Sequence, residues 1–329
     1  MEYRRMGRAG LQLSVFSLGS WVTFARQVDL GLARDMMALA YEHGVNFFDN
    51  AEVYESGASE TLMGEALSAL AWPRDSYCVS SKVFWGGEKP TQRGLSRKHV
   101  HDACHAALKR LQVDYLDLYF CHRPDIDTPI EETVRAMHDL VTQGKILYWG
   151  TSEWTAQQIT DAYGIARAHH LTPPSVEQPE YNLFNRKKLE LEYLPLFRDY
   201  GMGTTIFCPL ANGVLTGKYN QGIPEDSRMS LSGYEWLKAR LESDSGQDSL
   251  EKTIRLKDLA DEAGLRLNHL ALLWCLVNPN VSSVILGASR ISQLKDNLGA
   301  LENTELMTPD LLDRIEQIVN NKPEPVGRF

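Results

Sequence analysis

The sequence predicts an α/β fold, a (β/α)8 TIM barrel that forms one domain over residues 1–329. Short apolar runs typical of buried strands alternate with amphipathic stretches typical of helices, and this alternation implies a parallel sheet. The alternation supplies eight strands, which favours a closed barrel over an open doubly wound sheet. No G-x-G-x-x-G motif follows the first strand, so a Rossmann fold lacks its fingerprint. Because a barrel typically needs about 250 residues, there is room for an extended loop and an extra C-terminal helix.

The strand and helix assignments follow the two hydrophobic periodicities. The predicted strands are Val15–Leu18, Val45–Phe48, Tyr77–Ser81, Tyr115–Phe120, Ile146–Gly150, Ser175–Glu177, Gly203–Phe207 and Ser283–Leu286. The predicted helices are Leu32–His43, Glu60–Leu70, His99–Leu111, Glu131–Gln143, Ala156–His169, Leu189–Tyr200, Leu256–Ala263 and His269–Val277.

Helix-capping residues support several of these boundaries. Ser96 is a predicted N-cap for a helix that begins at Arg97. Thr128-Pro129-Ile130 offers a capping threonine and a proline in the first turn, with two acids following near the positive end of the helix dipole. Thr308-Pro309-Asp310 opens a final helix to about Asn320, which must pack on the outside of the barrel.

The stretch from Ala211 to Leu250 breaks the simple alternation. It is rich in glycine and polar residues, and a long insertion in a compact domain is usually functional or disordered. Its aromatic and basic residues favour a binding lid; they are Lys218, Tyr219, Arg228, Tyr234 and Trp236.

Charge and cysteine content exclude several classes of function. The net charge is −9 with no basic block, which predicts no nucleic-acid partner but leaves open a local basic pocket for a small anion. Five scattered cysteines without a C-x-x-C pair predict reduced, structural thiols. Neither a signal-peptide pattern nor a long apolar span is present. We therefore expect a cytoplasmic protein without membrane insertion, and a homo-oligomer stays open.

Four polar residues in the first third of the chain form the candidate catalytic group. Asp49, Lys82 and His122 each come directly after or at the end of a short β-type run, and Tyr54 lies in the loop that follows the first of these runs. The carboxyl ends of successive strands are where (β/α)8 barrels carry their active sites. A tyrosine beside a lysine is a plausible proton donor, because a nearby ammonium lowers the phenol pKa.

Each of these residues taken singly also has a structural interpretation. Asp49 could be a loop cap, Tyr54 a surface aromatic, Lys82 a solvated charge and His122 a core histidine with satisfied hydrogen bonds. Their occurrence together at strand ends favours the catalytic interpretation.

Longer motifs resemble a known family over essentially the whole chain. The segments that carry the resemblance are Gly19-Ser20-Trp21-Val22-Thr23-Phe24, Phe48-Asp49-Asn50-Ala51-Glu52-Val53-Tyr54, Ser81-Lys82-Val83-Phe84-Trp85-Gly86-Gly87, Arg93-Gly94-Leu95-Ser96-Arg97-Lys98-His99, His122-Arg123-Pro124-Asp125, Pro209-Leu210-Ala211, Gly217-Lys218-Tyr219 and Leu286-Gly287-Ala288-Ser289. They resemble the aldo-keto reductase superfamily, and within it the β subunits of voltage-gated potassium channels and their bacterial relatives.

The resemblance implies a role for each member of the catalytic group. Tyr54 matches the family's general acid, Lys82 would stabilise the tyrosinate, and Asp49 would hold Lys82. His122 would donate a hydrogen bond to the carbonyl oxygen. The channel β subunits carry asparagine at this position and conventional aldo-keto reductases carry histidine, so His122 favours a working enzyme over a sensor.

The resemblance also implies NADPH/NADP⁺ as cofactor. Ser152 and Gln178 match the positions that hold the nicotinamide carboxamide, and Phe207 matches an aromatic against the nicotinamide face. The remaining implied cofactor contacts are Ser20, Trp21, Pro209, Leu210, Asn212, Gly213, Lys218, Arg228, Gly287, Ser289, Arg290, Gln293, Asp296 and Asn297. Arg290 and Arg228 are the candidates for the 2′-phosphate, although Arg290 could equally be a solvated surface arginine. Trp21, Phe84 and Trp85 are the expected substrate pocket, which favours an aromatic or apolar carbonyl.

A metal site is the competing interpretation of a histidine-rich helix. His101 and His105 are four residues apart and share a helical face, and His99 and Cys104 lie nearby. No acid or further cysteine completes a recognisable ligand set, so we expect no metal.

Two functions of different classes follow. The first is an NADPH-dependent reductase that converts a small aldehyde or ketone to an alcohol. The second is an NADPH-binding, redox-sensing accessory subunit that regulates a membrane channel or transporter. Turnover of simple aldehydes discriminates between them.

Overall fold

The computed structural model describes residues 1–225, 227–230 and 232–324, and the chain forms two compact units. The first unit comprises Met1–Pro179, Glu192–Phe207 and Asn280–Lys295. The second comprises Glu180–Leu191, Cys208–Pro279 and Asp296–Phe329. That a single domain spans residues 1–329 stays a prediction.

The strands all belong to the first unit. They are β1 (Tyr3–Arg5), β2 (Gln12–Ser14), β3 (Phe16–Gly19), β4 (Phe47–Asp49), β5 (Cys78–Val83), β6 (Leu116–Cys121), β7 (Ile146–Thr151), β8 (Val176–Glu177), β9 (Gly203–Ile206) and β10 (Ser283–Leu286). Strands β3 to β10 form a closed parallel barrel, in which Leu18 pairs with Phe48 on one side and with Leu286 on the other. The predicted (β/α)8 TIM barrel is confirmed, and each barrel strand lies within a few residues of its predicted position.

An antiparallel hairpin of β1 and β2 precedes the barrel and was not predicted, because each of its strands has only three residues. Met6 and Leu13 of this segment pack with Phe47, Leu118 and other barrel residues in one buried apolar cluster. Backbone and side-chain hydrogen bonds join the hairpin to residues that directly precede barrel strands, so it covers the amino-terminal end of the barrel. The carboxyl ends of the strands are thereby left to carry the site.

The helices follow the predicted order. Those of the first unit are α1 (Leu30–Glu42), α2 (Ala58–Leu70), α3 (Arg97–Leu111), α4 (Ile130–Thr142), α5 (Ala156–Ala168) and α6 (Leu194–Tyr200), and those of the second are α7 (Glu235–Glu242), α8 (Asp244–Glu262), α9 (Leu267–Val277) and α11 (Pro309–Val319). Helix α10 (Ile291–Gly299) includes residues of both. In the described part of the chain no helix is long and apolar enough to span a membrane.

Helix capping confirms some of the predicted boundaries and corrects one. Ser96 accepts from the backbone N–H of His99, as an N-cap should. Thr128 does not cap α4: its hydroxyl donates to Asp125, and Pro129 occupies the cap position without a side-chain bond. Asp125, three residues before Thr128, binds the hydroxyl that the sequence predicted as the N-cap of this helix.

The glycine-rich stretch contains helical structure that the sequence did not predict. Residues Ala211–Thr216 and Arg228–Ser230 are short 3-10 segments, and α7 and the first half of α8 follow. Within the second unit, Val214, Tyr219, Met229, Leu237 and Leu241 form a buried apolar cluster. The stretch is therefore ordered by its own small core, while its residues Asp226 and Leu231 lie outside the described residues.

Candidate active site

The catalytic candidates lie at the carboxyl ends of three neighbouring strands. Asp49 is the last residue of β4, Lys82 is the last but one of β5, and His122 directly follows β6. In register, Asp49 pairs with Ser80 and Lys82 pairs with Phe120. Because parallel strands end at the same edge of a barrel, the three side chains converge there.

Tyr54, Lys82 and Asp49 form a direct relay. The Lys82 ammonium donates to Asp49 Oδ2 at 2.6 Å, to the Asn50 carbonyl oxygen at 2.8 Å and to the Tyr54 hydroxyl at 3.1 Å. Asp49 Oδ1 accepts from the Ser80 hydroxyl at 2.8 Å and from the Gln178 amide at 3.1 Å. Both carboxylate oxygens are therefore held in place, and the ammonium points at the phenol.

Burial makes this relay a strongly interacting one. Lys82 is 0% exposed and Asp49 is 3% exposed. Burial lowers the pKa of Lys82, and the Asp49 carboxylate opposes that shift through its charge and its hydrogen bond. A buried ammonium that shares its charge with one carboxylate and one phenol stabilises the phenolate form of Tyr54.

A strained turn holds Tyr54 in place. The turn Tyr54–Gly57 contains Glu55 at φ 48° and Ser56 at φ 53°, both in the left-handed region that side chains rarely adopt. Gly57 follows at φ 89°, where a Cβ would lie 2.9 Å from Arg110 Nε. Three consecutive left-handed residues reverse the chain immediately after the tyrosine, and backbone strain of this kind clusters at functional sites.

His122 completes the group as a neutral ring. It is 7% exposed, and its ring meets the rings of Tyr54 and Trp85 at centroid distances of 5.9 and 5.2 Å. Burial, with the charges of Lys82 and Arg123, holds the pKa of His122 well below its usual range. Among the described residues its Nδ1 atom is buried without a hydrogen-bond partner. A buried N–H without an acceptor is costly, so the proton belongs on Nε2, which makes Nε2 a donor.

The predicted aromatic pocket residues divide into two groups. Phe84 and Trp85 contact each other edge to face, and Trp85 contacts His122. Trp21 is half-buried two residues after the end of β3, and the buried Ser20 before it donates to the Asp49 carbonyl oxygen at 3.1 Å. The loop after β5 is anchored by Glu52, which accepts from the Phe84 N–H at 2.7 Å.

The histidines considered for a metal site separate in the structure. His99 faces Glu52, with Nε2 3.4 Å from the carboxylate, and its Nδ1 bonds the Gly94 carbonyl at 2.9 Å. Burial lowers the pKa of His99, but the hydrogen bond and charge of Glu52 outweigh it and the net shift is upward. His101 and His105 contact each other at 3.3 Å. His99 therefore supports the loop that carries Phe84 and does not share a site with the other two.

Two of the predicted carboxamide-binding residues are linked to each other. The Ser152 hydroxyl donates to the Gln178 carbonyl oxygen at 2.7 Å, and the Gln178 side chain reaches Asp49 as described above. Arg123 was not predicted as a site residue, yet its Nη1 atom donates to Ser152 Oγ at 3.3 Å and to the His122 carbonyl oxygen at 2.5 Å. The signal was available, since a cation directly follows the candidate histidine.

The other predicted cofactor residues of the first unit lie after β9 and β10. Phe207 is half-buried directly after β9, and Gly287 is exposed directly after β10. Gln293 Oε1 accepts from the backbone N–H of Ser289 at 3.0 Å and from its hydroxyl at 3.2 Å, which fixes the entry to α10. Arg290 is exposed.

Several predicted cofactor residues lie in the second unit, in the stretch that follows β9: Pro209, Leu210, Asn212, Gly213, Lys218 and Arg228. Cys208 and Asn212 are joined by a hydrogen bond of 3.4 Å, and burial raises the pKa of Cys208 to about 12, so its thiol is a poor nucleophile. Gly213 has φ 95°, a left-handed backbone conformation in which any side chain is strained, so glycine is favoured there. The remaining members are the buried Pro209 and the half-buried Leu210 and Arg228.

Asp296 and Asn297, also in the second unit, share a partner. The Asn268 amide donates to Asp296 Oδ2 at 2.8 Å and to Asn297 Oδ1 at 3.0 Å. Asp296 also pairs with Arg266 and with His269, so it is already part of a charge network.

A closed parallel barrel with an Asp–Tyr–Lys–His group at its strand ends defines a class of protein. The model of the aldo/keto reductase family matches residues 16–320, and the chain belongs to that family. Among similar proteins are a probable voltage-gated potassium channel subunit beta of Arabidopsis thaliana, 52% identical over 325 residues, and one of Oryza sativa subsp. japonica, 50% identical over 325 residues. Each comparison covers 98% of this chain and 98% of the relative. Family membership supports an oxidoreductase role of the kind that uses a nicotinamide cofactor.

Proposed function

We propose that this protein reduces aldehydes or ketones to alcohols with NADPH. The observation that carries the proposal is the buried relay, in which Lys82 lies 2.6 Å from Asp49 and 3.1 Å from the Tyr54 hydroxyl. A phenol that is hydrogen-bonded to a buried ammonium is suited to give up its proton as charge develops on a carbonyl oxygen. A lysine with only a structural role would not need a hydrogen bond to the hydroxyl of the half-buried Tyr54.

The chain's own residues account for the oxygen side of the reaction. NADPH, if bound with its carboxamide on Ser152 and Gln178, would supply hydride for the carbonyl carbon. Tyr54 donates its proton to the carbonyl oxygen as negative charge develops there, and Lys82 stabilises the resulting phenolate. His122, neutral and protonated on Nε2, donates a second hydrogen bond to the same oxygen and so lowers the barrier electrostatically.

The donor set supports a phosphorylated nicotinamide dinucleotide. Gln178, a predicted carboxamide residue, is tied to the relay through its 3.1 Å bond to Asp49. In the second unit Lys218 and Arg228 supply positive charge, and in the first unit Arg290 does so at the entry to α10. Guanidinium groups match phosphate oxygens in geometry and charge, which favours NADPH over NADH.

A second function is favoured by the names of the similar plant proteins. Proteins 50–52% identical to this chain are named as potassium channel β subunits, so an accessory role beside a membrane channel is the alternative. The relay argues for turnover, because an accessory subunit that only binds the cofactor needs no general acid.

We also propose a cytoplasmic location, supported by five free cysteines.

The test is turnover of an aldehyde panel, followed by the loss of NADPH absorbance. Catalysed oxidation of NADPH that depends on aldehyde supports the reductase. NADPH binding without aldehyde-dependent oxidation for any member of the panel would contradict it and favour the accessory subunit.

A further inference from the structure

One cation beside the relay is not used by the mechanism above. Arg123 follows His122 at the carboxyl end of β6 and is partly exposed. Its Nη1 atom bonds the His122 carbonyl oxygen and Ser152 Oγ, and its guanidinium carbon lies 5.6 Å from the centre of the Trp85 ring. The guanidinium is therefore held between a predicted cofactor residue and a predicted substrate-pocket residue.

Within the described residues this guanidinium has no acid partner. In the described part of the chain no carboxylate lies within 4.0 Å of Arg123, and its Nε and Nη2 atoms make no hydrogen bond to the protein. Two other arginines of the first unit that contact the barrel or its helices are paired: Arg74 bonds Asp117 at 2.7 Å and Arg110 bonds Glu60 at 2.6 Å. Arginine presents five donors in a fixed fork, so Arg123 retains an unused edge for a bidentate acceptor.

The balance of charges around the relay also favours an anionic ligand beside Arg123. Around the reacting position, the Lys82 ammonium is matched by the Asp49 carboxylate, and His122 is neutral. Arg123 adds a positive charge that nothing in this group neutralises, although the whole chain carries −9. A cation that depresses the pKa values of Lys82 and His122 is electrostatically costly in an unliganded site, and an anion beside it removes that cost.

We infer that Arg123 recognises an anionic group, a carboxylate or a phosphate, carried by the carbonyl substrate. This inference rests on the proposed function. The aromatic rings of Phe84 and Trp85 then cover the body of the substrate, while the guanidinium binds its charged end. The sequence predicts an aromatic or apolar carbonyl substrate. The inference replaces this prediction with an amphipathic carbonyl substrate that carries an acid group.

The experiment compares each acidic aldehyde with its own neutral ester. The probes are succinic semialdehyde and para-carboxybenzaldehyde, each beside its methyl ester, so that size and carbonyl reactivity are closely matched. For the wild-type protein we expect kcat/KM to favour the acid of at least one pair by about 10- to 100-fold, the range of one or two charge-assisted hydrogen bonds. The preference should shrink as salt is added, because a partly exposed ion pair is screened.

Arg123→Gln should abolish the preference, because KM for the acid should rise much more than KM for its methyl ester. Arg123→Lys should keep part of the preference, because the charge stays and the fork is lost. The matched control is Arg34→Gln on the exposed face of α1, which makes the same change in net charge and pairs only with Asp35. It should leave every constant unchanged.

Three results would overturn the inference. The first is equal turnover of acid and ester in both pairs by the wild-type protein, which leaves the proposed reductase intact. The second is a weaker Kd for NADPH in Arg123→Gln with acid and ester affected alike, which assigns the residue to the cofactor. The third result comes from a binding experiment, which is needed if no aldehyde is turned over and the proposed function itself fails. Succinate and benzoate are then titrated by calorimetry: tighter binding to wild type than to Arg123→Gln supports the anion site, and equal binding overturns it.

Discussion

At the scale of single residues, the site depends on a few close contacts between charged groups in a buried setting. The Lys82 ammonium is 0% exposed and contacts both a carboxylate and a phenol, so its charge is shared rather than solvated. His122 is neutral because burial and two neighbouring cations oppose its protonation. The sequence predicted Asp49, Lys82 and His122 from their places after apolar runs, and Tyr54 from the loop that follows the first of these runs. It missed Arg123, which directly follows the candidate histidine, and it missed Ser80 and Glu52, because hydrogen bonds that orient a site leave no periodic pattern.

The relay makes a prediction about pH. Replacing Lys82 with Met should slow reduction and raise the apparent pKa of the essential acid, because the ammonium no longer stabilises the phenolate. Reduction needs a protonated Tyr54, so the falling limb of the pH–rate profile should move to higher pH. The measurement is kcat/KM for an aldehyde across the alkaline range.

A matched variant controls for this substitution. Lys98→Met removes an exposed lysine that pairs with Asp102 on α3, and should leave the profile in place. Since Lys82→Met also leaves the Asp49 carboxylate buried without its cation, its folding must be checked by melting. A folded Lys82→Met protein with a profile of unchanged shape would show that Lys82 does not tune the phenol.

At the scale of elements, hydrophobic periodicity located the barrel strands and most helices, since each strand is a short run buried on both faces. It failed where local chemistry decides. Helix α6 begins at Leu194 and not at Leu189, because Pro195 fits only a first turn and a short π-helical segment, Lys188–Glu192, precedes it. Helix α7 and the start of α8 were predicted as part of a binding lid, because the stretch from Ala211 to Leu250 is rich in glycine and polar residues. Gly246 is there for a packing reason: a Cβ would lie 2.2 Å from the Arg240 carbonyl oxygen.

Two helix glycines therefore predict opposite effects on stability. Gly246→Ala forces a methyl group against the backbone of α7 and should lower the free energy of unfolding by about 1–3 kcal/mol, the usual range for overpacking. Gly164 lies in α5, where an added methyl group would meet nothing within 4 Å, so Gly164→Ala should raise stability by about 0.5–1 kcal/mol. Thermal melting of the two variants beside wild type decides the matter. A Gly246→Ala protein as stable as Gly164→Ala would show that α7 and α8 do not meet as described.

At the scale of the whole molecule, the chain is acidic overall but carries basic side chains at the predicted substrate and cofactor sites. The net charge of −9 disfavours extended polyanions, and that nucleic acid is not a partner stays a prediction. Arg123, Lys218, Arg228 and Arg290 are each suited to a small anion. Sequence patterns identified the family because the motifs lie at strand ends and loops spread over the chain. They could not supply the hydrogen-bond partners of those motifs, which lie far away in sequence: Gln178 and Asp49, for example, are 129 positions apart.

Cofactor preference tests the two arginines predicted to bind the 2′-phosphate, Arg228 and Arg290. NADPH should bind more tightly than NADH, because the 2′-phosphate gains charge-assisted hydrogen bonds worth about 1.5–3 kcal/mol. Fluorescence titration of both cofactors measures the preference. Arg290→Ala, Arg228→Ala and the double variant should reduce it, with Arg34→Ala as the surface control. Equal Kd values for NADPH and NADH in wild type, or a preference that survives the double variant, would refute the assignment.

The central claim is that Tyr54 is the general acid of a carbonyl reductase, and Tyr54→Phe tests it most directly. The phenyl ring preserves the contact with His122 and removes only the hydroxyl that Lys82 contacts at 3.1 Å. We expect aldehyde reduction to fall by about 10²–10⁴-fold, the usual contribution of a general acid, while the Kd for NADPH stays the same. A variant that binds NADPH normally and keeps more than about a tenth of the wild-type rate would contradict the account, because the loss would be smaller than a general acid typically contributes.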